Sequence, residues 1–408
     1  MSRHAIVRKV RAVVTPEAVC FAAAVGLARW SELEASLLDF ILLFPYLVAV
    51  TGAALAWRFR RSRLFYGLAA LALGFYALTL GPRAPDQALW FQAAAVLVPL
   101  NLAAIAWLPE RGVLSLSALR RWVSIAAQVA LVVVLARHDA GGWLGIPAAL
   151  RRGLVSDGPF GWSELGWPAW LAFVLAFGAL TVARLFAAGT TARGYLWALA
   201  ATFLAFDVAR GTPDRILYLS TAALILVVAV LETSYRMAYH DSLTGLPGRR
   251  AFNEALGSLG GDYTVAIVDV DHFKKFNDRF GHDVGDQVLR MAGTRLAGVG
   301  GGGRAFRYGG EEFAVLFPGK SLDDCLPVLE QLRETIADTR FTVRKRIRPR
   351  RRPTGSGGGA RRRTRVRITV SIGVAQRNDR QAKPDEVVRA ADEALYKAKG
   401  AGRNRVRT

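Results

Sequence analysis

The sequence predicts a two-part chain: an α-helical transmembrane bundle over residues 1–231, then an α/β (α+β) domain over residues 241–408. Three observations carry this. Apolar residues make up 52% of the 408 and crowd into the first 230 positions, in runs long enough to cross a bilayer. After Leu231 the composition turns polar, and from Asp241 β-branched strand patterns alternate with helical ones. Between the strand-like runs RAFRY and FAVLF sit two glycines followed at once by two acids, Gly309-Gly310-Glu311-Glu312, a hairpin signal. Adjacent glycines there allow positive φ and close approach of a ligand to bare backbone. Two acids beside such a turn repel each other unless a cation lies between them.

The membrane half is read as spans near Leu37–Trp57, Leu64–Leu80, Ala88–Trp107, Trp122–Ala136, Pro168–Ala187, Gly194–Ala209 and Ile216–Leu231. Val13–Trp30 is an eighth span or, because Arg3, Arg8, Lys9 and Arg11 precede it, a cleaved signal peptide. Arg58, Arg60, Arg61 and Arg63, then Arg111, Arg120 and Arg121, place two loops in the cytoplasm. Eight spans with both ends inside satisfy that parity and leave residues 241–408 cytoplasmic. Trp143, Trp162 and Trp167, in the longest external connection, read as interfacial anchors. Asp207 within a span marks a polar site or pairs with Arg210. Residues 232–240 lack Gly and Pro and continue the last span as a helical linker.

In the soluble half, Tyr263–Val270 reads as a buried strand ending in Asp269-Val270-Asp271. Asn277–Leu296 reads as a helix, Ala305–Phe317 as the hairpin, Ser321–Ala337 as a helix, Val366–Ala375 as a strand and Pro384–Ala401 as a last helix. Such alternation predicts a central sheet with helices packed on it. Cys20 and Cys325 are the only cysteines, which excludes a disulfide scaffold. The net charge of +22 favours phosphate or anionic-lipid partners.

DSLTGLPGRRAF, DVDHFKKFNDRFGHDVGD, RYGGEEF, TVSIGVA and ALYKAKGAGRN stand in the order and spacing of the GGDEF family, the diguanylate cyclases, which this half resembles from about Asp241 to Arg405. The resemblance implies a mostly antiparallel central sheet like that of nucleotide cyclase catalytic domains. It implies condensation of two GTP into cyclic di-GMP and pyrophosphate by a homodimer in which each domain holds one GTP. Two Mg²⁺ per GTP half-site are implied, with Mn²⁺ as a substitute, on Asp269, the Val270 carbonyl, Glu311 and Glu312. Catalysis falls to Glu311, Glu312 and Lys274, the division of metal and base roles between the two glutamates staying open. Phe273, Lys274, Gly309, Gly310, Lys399 and Arg403 are implied at the phosphates, and Asn277 and Asp286 at guanine. His272 and His282 hold no catalytic role in this scheme. The whole reads as a multi-pass protein of the bacterial inner membrane with its catalytic domain in the cytoplasm. A non-catalytic GTP or cyclic di-GMP receptor on the same fold is the alternative.

The chain departs from the family in three places. Many relatives carry an Arg-x-x-Asp product-inhibition site before the hairpin, where this chain has Gly300, Gly301, Gly302 and Gly303, so no such site is expected. Gly248 stands where Asn is common. Arg344–Arg367 is an acid-free, arginine-rich insertion expected to be an exposed loop. Contact with anionic membrane lipid or another polyanion is its favoured role, with a solvated insertion that has no partner as the alternative; nucleic acid is not favoured, because no aromatic residues interleave the arginines.

Overall fold

The computed structural model describes residues 15–29, 35–80, 87–110, 116–137, 146–186, 190–209, 211–339, 341–342, 365–378 and 383–408. The chain divides into two compact units, Met1–Ser234 and Tyr235–Thr408. Arg210, Trp143 and nearly all of the Arg344–Arg367 insertion lie outside the described residues.

The first unit is helical: α1 (Pro16–Ala28), α2 (Ala35–Arg58), α3 (Ser62–Phe75), α4 (Gln87–Trp107), α5 (Leu116–Arg137), α6 (Ile146–Leu154), α7 (Trp167–Phe186), α8 (Thr190–Phe203) and α9 (Thr212–Tyr239). Over their described residues, the eight apolar segments fall largely on helices. Among the described residues, four helices are long and apolar enough to cross a membrane: Gln87–Trp107, Leu119–Ala136, Trp167–Phe186 and Thr212–Tyr239. The apolar helix Pro16–Ala28 is shorter. At 1.5 Å per residue, 13 residues span about 20 Å of a core about 30 Å thick. The expected helical continuation past Leu231 is present, since α9 runs to Tyr239.

Two features explain charges inside this unit. The fully buried Glu17 on α1 pairs with Arg193 of α8 at 3.1 Å, and Arg193 also reaches Glu232 of α9 at 2.5 Å. A π-helical turn, Leu204–Val208, carries Asp207, whose carboxylate accepts from Ser163 Oγ. Ser163 Oγ in turn accepts from the Trp170 indole and the Leu165 amide. The amphipathic α6 lies where only a loop was expected.

The second unit contains α10 (Arg249–Gly257), β1 (Tyr263–Val270), α11 (Phe273–Phe280), α12 (His282–Ala297), β2 (Arg304–Arg307), β3 (Glu312–Pro318), α13 (Leu322–Asp338), β4 (Phe341–Thr342), β5 (Arg365–Val366), β6 (Val370–Gln376), α14 (Pro384–Gly400) and β7 (Val406–Arg407). The main sheet has the order β2-β3-β1-β6-β7. All its pairs are antiparallel except β6 with β7, and β4 pairs with β5 apart from it. Every residue of β1 is buried because both sheet faces are covered. Ala266, Val268 and Val270 pack with Val288 and Leu289 of α12 and Leu329 of α13. Val265 and Ile267 pack with Phe252 of α10 and Val387 and Leu395 of α14. At Gly373 the sheet and α14 touch backbone to backbone: a Cβ there would sit 2.1 Å from the Ala391 carbonyl oxygen.

Two elements differ from expectation. Asn277–Leu296 is not one helix, because Gly281 takes φ +87 and separates α11 from α12. Val366–Ala375 is not one strand: Arg365–Val366 pairs with β4, and only Val370–Gln376 joins the main sheet. The short β7 and α10 were not foreseen. Gly300–Gly303 form a tight turn, closed by Gly303 N–H to the Gly300 carbonyl at 3.0 Å, with Gly301 at φ +64 and Gly302 at φ +79.

Candidate active site

The candidate site gathers at the carboxyl end of β1. Asp269 lies opposite Glu312 in the β1–β3 register. The Val270 amide donates to the Glu311 carbonyl at 3.3 Å, which ties the hairpin tip to the strand end. Lys399 near the end of α14 reaches back to the buried Asp269 carboxylate, Nζ to Oδ2, at 2.9 Å. Asp269, Val270, Glu311, Glu312 and Lys399 are thereby brought together.

The carboxylates are held uncomfortably. Burial pushes the Asp269 pKa above its ordinary value; Lys399 opposes this, and Glu312 and Asp271 add to it. Burial also raises Glu311, with the charge of Asp269 next in weight and Lys399 again opposing. A carboxylate with a raised folded pKa holds its proton more tightly in the folded state. Its contribution to stability therefore grows as pH falls through that folded pKa and is lost as pH rises above it. The urea midpoint of the metal-free second unit in the full chain is expected to rise as pH falls from neutrality toward that range. Lys399→Met should move the onset to higher pH, because it withdraws the one cation that lowers both groups.

The glycines of the hairpin work differently from the sequence expectation. Neither Gly309 nor Gly310 is among the residues with positive φ. Gly309 leaves room instead: a Cβ there would lie 2.6 Å from Glu312 Oε2, so the bare backbone lets that carboxylate fold over the turn in this rotamer. Gly310 has open space around it.

Phe273 is buried and anchors the start of α11, leaving Lys274 exposed on the first turn. Asn277 follows one turn later, and its Oδ1 is buried with no hydrogen-bond partner. The amide sits against Gly285, where a Cβ would come within 1.9 Å of Oδ1. Asp286 is the next residue along α12 and is half-buried, so Gly281 and Gly285 together bring the two guanine candidates near one another. Arg403 takes φ +62 after α14. Among the described residues, no ion pair joins Arg403 or Lys274 to the carboxylates.

Several supporting residues were missed from sequence. Arg307 clamps the hairpin: its guanidinium donates to the carbonyls of Gly309 at 3.2 Å and Gly310 at 2.6 Å and pairs with Asp241 at 2.7 Å. Burial would raise Asp241, but Arg307 and two hydrogen bonds from Thr244 outweigh it and hold the carboxyl below its usual range. Asp271 accepts from Thr369 Oγ1 at 2.6 Å, Ser371 Oγ at 2.7 Å and the Asn404 amide at 3.1 Å. The available signal was position alone: Asp241 in DSLT, Arg307 before the glycines, Asp271 after Asp269.

Among the described residues, no group of three or more His, Cys, Asp or Glu side chains is arranged to hold a metal ion. The donor set still fits Mg²⁺. That ion takes one or two carboxylates and leaves its other positions to water and phosphate, and Asp269 already draws an ammonium group to itself.

Residues 238–405 match the family described as diguanylate cyclase, GGDEF domain. Over 184 residues the chain is 39% identical to the response regulator PleD of Caulobacter vibrioides, covering 43% of this chain and 37% of that one. It is 37% identical to the diguanylate cyclase DgcP of Pseudomonas aeruginosa, covering 43% and 25%. It is 35% identical to the diguanylate cyclase DgcM of Escherichia coli, covering 41% and 38%. The chain thus spans less than two fifths of the length of these three relatives.

Proposed function

Starting from a chain whose residues 238–405 form a GGDEF domain, we propose that it is a membrane-anchored diguanylate cyclase. Two GTP would be joined into cyclic di-GMP: each 3′-oxygen forms a bond to the other's α-phosphorus, and each α–β bridge breaks to release pyrophosphate. The observation that carries this is the carboxylate pair gathered near the carboxyl end of β1, Asp269 from the strand and Glu311 from the hairpin, with Lys399 paired to Asp269 and opposing the rise in both pKa values.

Divalent cations held by Asp269, Glu311 and the Val270 carbonyl, Mg²⁺ or Mn²⁺, would neutralise triphosphate charge and steady the departing pyrophosphate. The chain's own residues supply the rest. Glu312, folded over Gly309, is the candidate acceptor for the proton of the attacking hydroxyl, a role Glu311 shares until the two are separated by mutation. The unpartnered Asn277 Oδ1 suits a guanine N–H, and Asp286 suits the N1 and N2 donors; adenine presents the wrong donor pattern. Lys274, Lys399 and Arg403 are the cations for the phosphates, and Phe273 fixes the turn that presents Lys274. Because each domain holds one GTP, the active unit is a homodimer. The assay is incubation of the full chain with GTP and Mg²⁺, with cyclic di-GMP as the readout and ATP as the control.

The helical unit would insert in the inner membrane with eight spans and leave the catalytic domain in the cytoplasm, a reading supported by four helices of crossing length. Restoring the family's product site needs more than two substitutions: a Cβ at Gly303 would lie 2.6 Å from the Phe317 ring. Saturating cyclic di-GMP is therefore expected to leave the initial rate within about twofold of the uninhibited value, the scale of tenths of a kcal/mol. Inhibition at low micromolar product would sink this.

A further inference from the structure

The helical unit contains a cavity of about 390 Å³ between α3, α4 and α5, within the size range of small-molecule sites. Its α4 wall is a single helix face, Trp90, Ala93, Ala94, Leu97, Val98 and Asn101, at spacings of three and four. Eleven residues put Trp90 and Asn101 about 16 Å apart along the axis, so the volume forms a long, narrow slot. Alanines make the space: Ala93 and Ala94 line it from α4, Ala70 lines it from α3, and Ala77 lines it from the segment just after α3. A π-helical turn, Tyr76–Leu80, begins on the same wall. None of the lining side chains is charged.

Polar groups stand at both ends of the slot, and they differ in kind. Asn101 and Gln128 bond to each other reciprocally, at 2.7 and 3.3 Å. The indole Nε1 of Trp90 is buried and has no acceptor. A buried N–H left unpaired is rare in folded proteins and asks for an explanation. The Tyr76 ring packs edge-on against the indole, with centroids 5.9 Å apart, and fixes its plane.

We propose that this slot binds an uncharged, unbranched-chain molecule bearing one carbonyl oxygen. The chain lies along the alanine face of α4, and the carbonyl accepts from Trp90 Nε1. A carboxylate is disfavoured because no cation lines the slot to offset its desolvation. A plain alkyl chain fills the apolar volume but leaves the indole unpaired. Binding here does not depend on GTP turnover in the second unit.

The test uses the full chain in lipid nanodiscs with tritiated 2-decanone as the probe, and decane and decanoate as competitors. Saturable binding is expected, with decane and decanoate each competing at least about fivefold less well than unlabelled ketone, the factor one neutral hydrogen bond gives. Trp90→Phe keeps the apolar ring and removes the N–H, so the preference for ketone over decane should fall below about twofold. Ala94→Phe fills the slot and should abolish saturable binding. Equal competition by decane, which would make the slot an acyl-chain filler only, overturns the proposal. So does an absence of saturable binding, or an undiminished ketone preference in Trp90→Phe.

Discussion

Glu311→Gln in the full chain is expected to lower cyclic di-GMP formation by about 10³-fold or more, roughly 4 kcal/mol of transition-state stabilisation. The amide keeps the size and shape of the carboxylate but loses the charge a divalent cation requires. The fold should not suffer. Burial and the Asp269 charge already raise the Glu311 pKa, so folding makes the charged form less favourable than it is in the unfolded chain. Replacing it with a neutral group should leave the urea midpoint unchanged or slightly higher. That pairing of outcomes, rate lost and stability kept, separates a catalytic role from a structural one. An unchanged rate in Glu311→Gln would remove the residue from the mechanism. A dimeric wild-type chain that binds GTP but forms no product would turn the assignment toward a receptor.

Asp271→Ala is expected to destabilise the second unit by roughly 3–5 kcal/mol, read as a lower urea midpoint. The carboxylate accepts from two strand-side hydroxyls and from the Asn404 amide, so one side chain fastens the start of β6 to the segment after α14. Truncation leaves Ser371 Oγ, fully buried on β6, without that acceptor. Asp271→Asn should recover part of the loss, since the amide oxygen still accepts but the charge is gone. Because Arg403 immediately precedes Asn404, the alanine variant should also weaken GTP binding. A midpoint within about 0.5 kcal/mol of wild type would show that the hydroxyls and amide find other partners.

Most of the architecture was legible in the sequence because it depends on local pattern. The apolar runs fall largely on helices over their described residues, and Tyr263–Val270 was readable as a strand because burial on both sheet faces gives a continuous apolar run. Boundaries set by single glycines were less legible. Gly281 interrupts a helical pattern that is otherwise continuous from Phe273 to Ala297, and only its φ of +87 reveals two helices. The break between β5 and β6 depends on Thr369 bonding to Asp271, a contact 98 residues distant in sequence.

For the site, the strand end and the hairpin marked the acids as candidates, whereas the cations and the Asn277–Asp286 pair were implied only by the family resemblance. Of the two reasons suggested for the glycine pair, positive φ is absent at both, and Gly309 leaves room for the Glu312 carboxylate. Arg307, Asp241 and Asp271 carry ordinary charges in ordinary surface patterns, so nothing in the string marks them as the clamp and the anchor.

The sequence by itself determined the division into a helical half and an α/β half and the presence of the motif residues, because each rests on composition or on pattern within one segment. Tertiary structure decided which charges are compensated. Lys399 lies 130 residues from Asp269, Asp241 lies 66 from Arg307, and Glu17 lies 176 from Arg193. The energy of a buried charge depends on what stands within a few ångströms of it, and chain order does not record that distance.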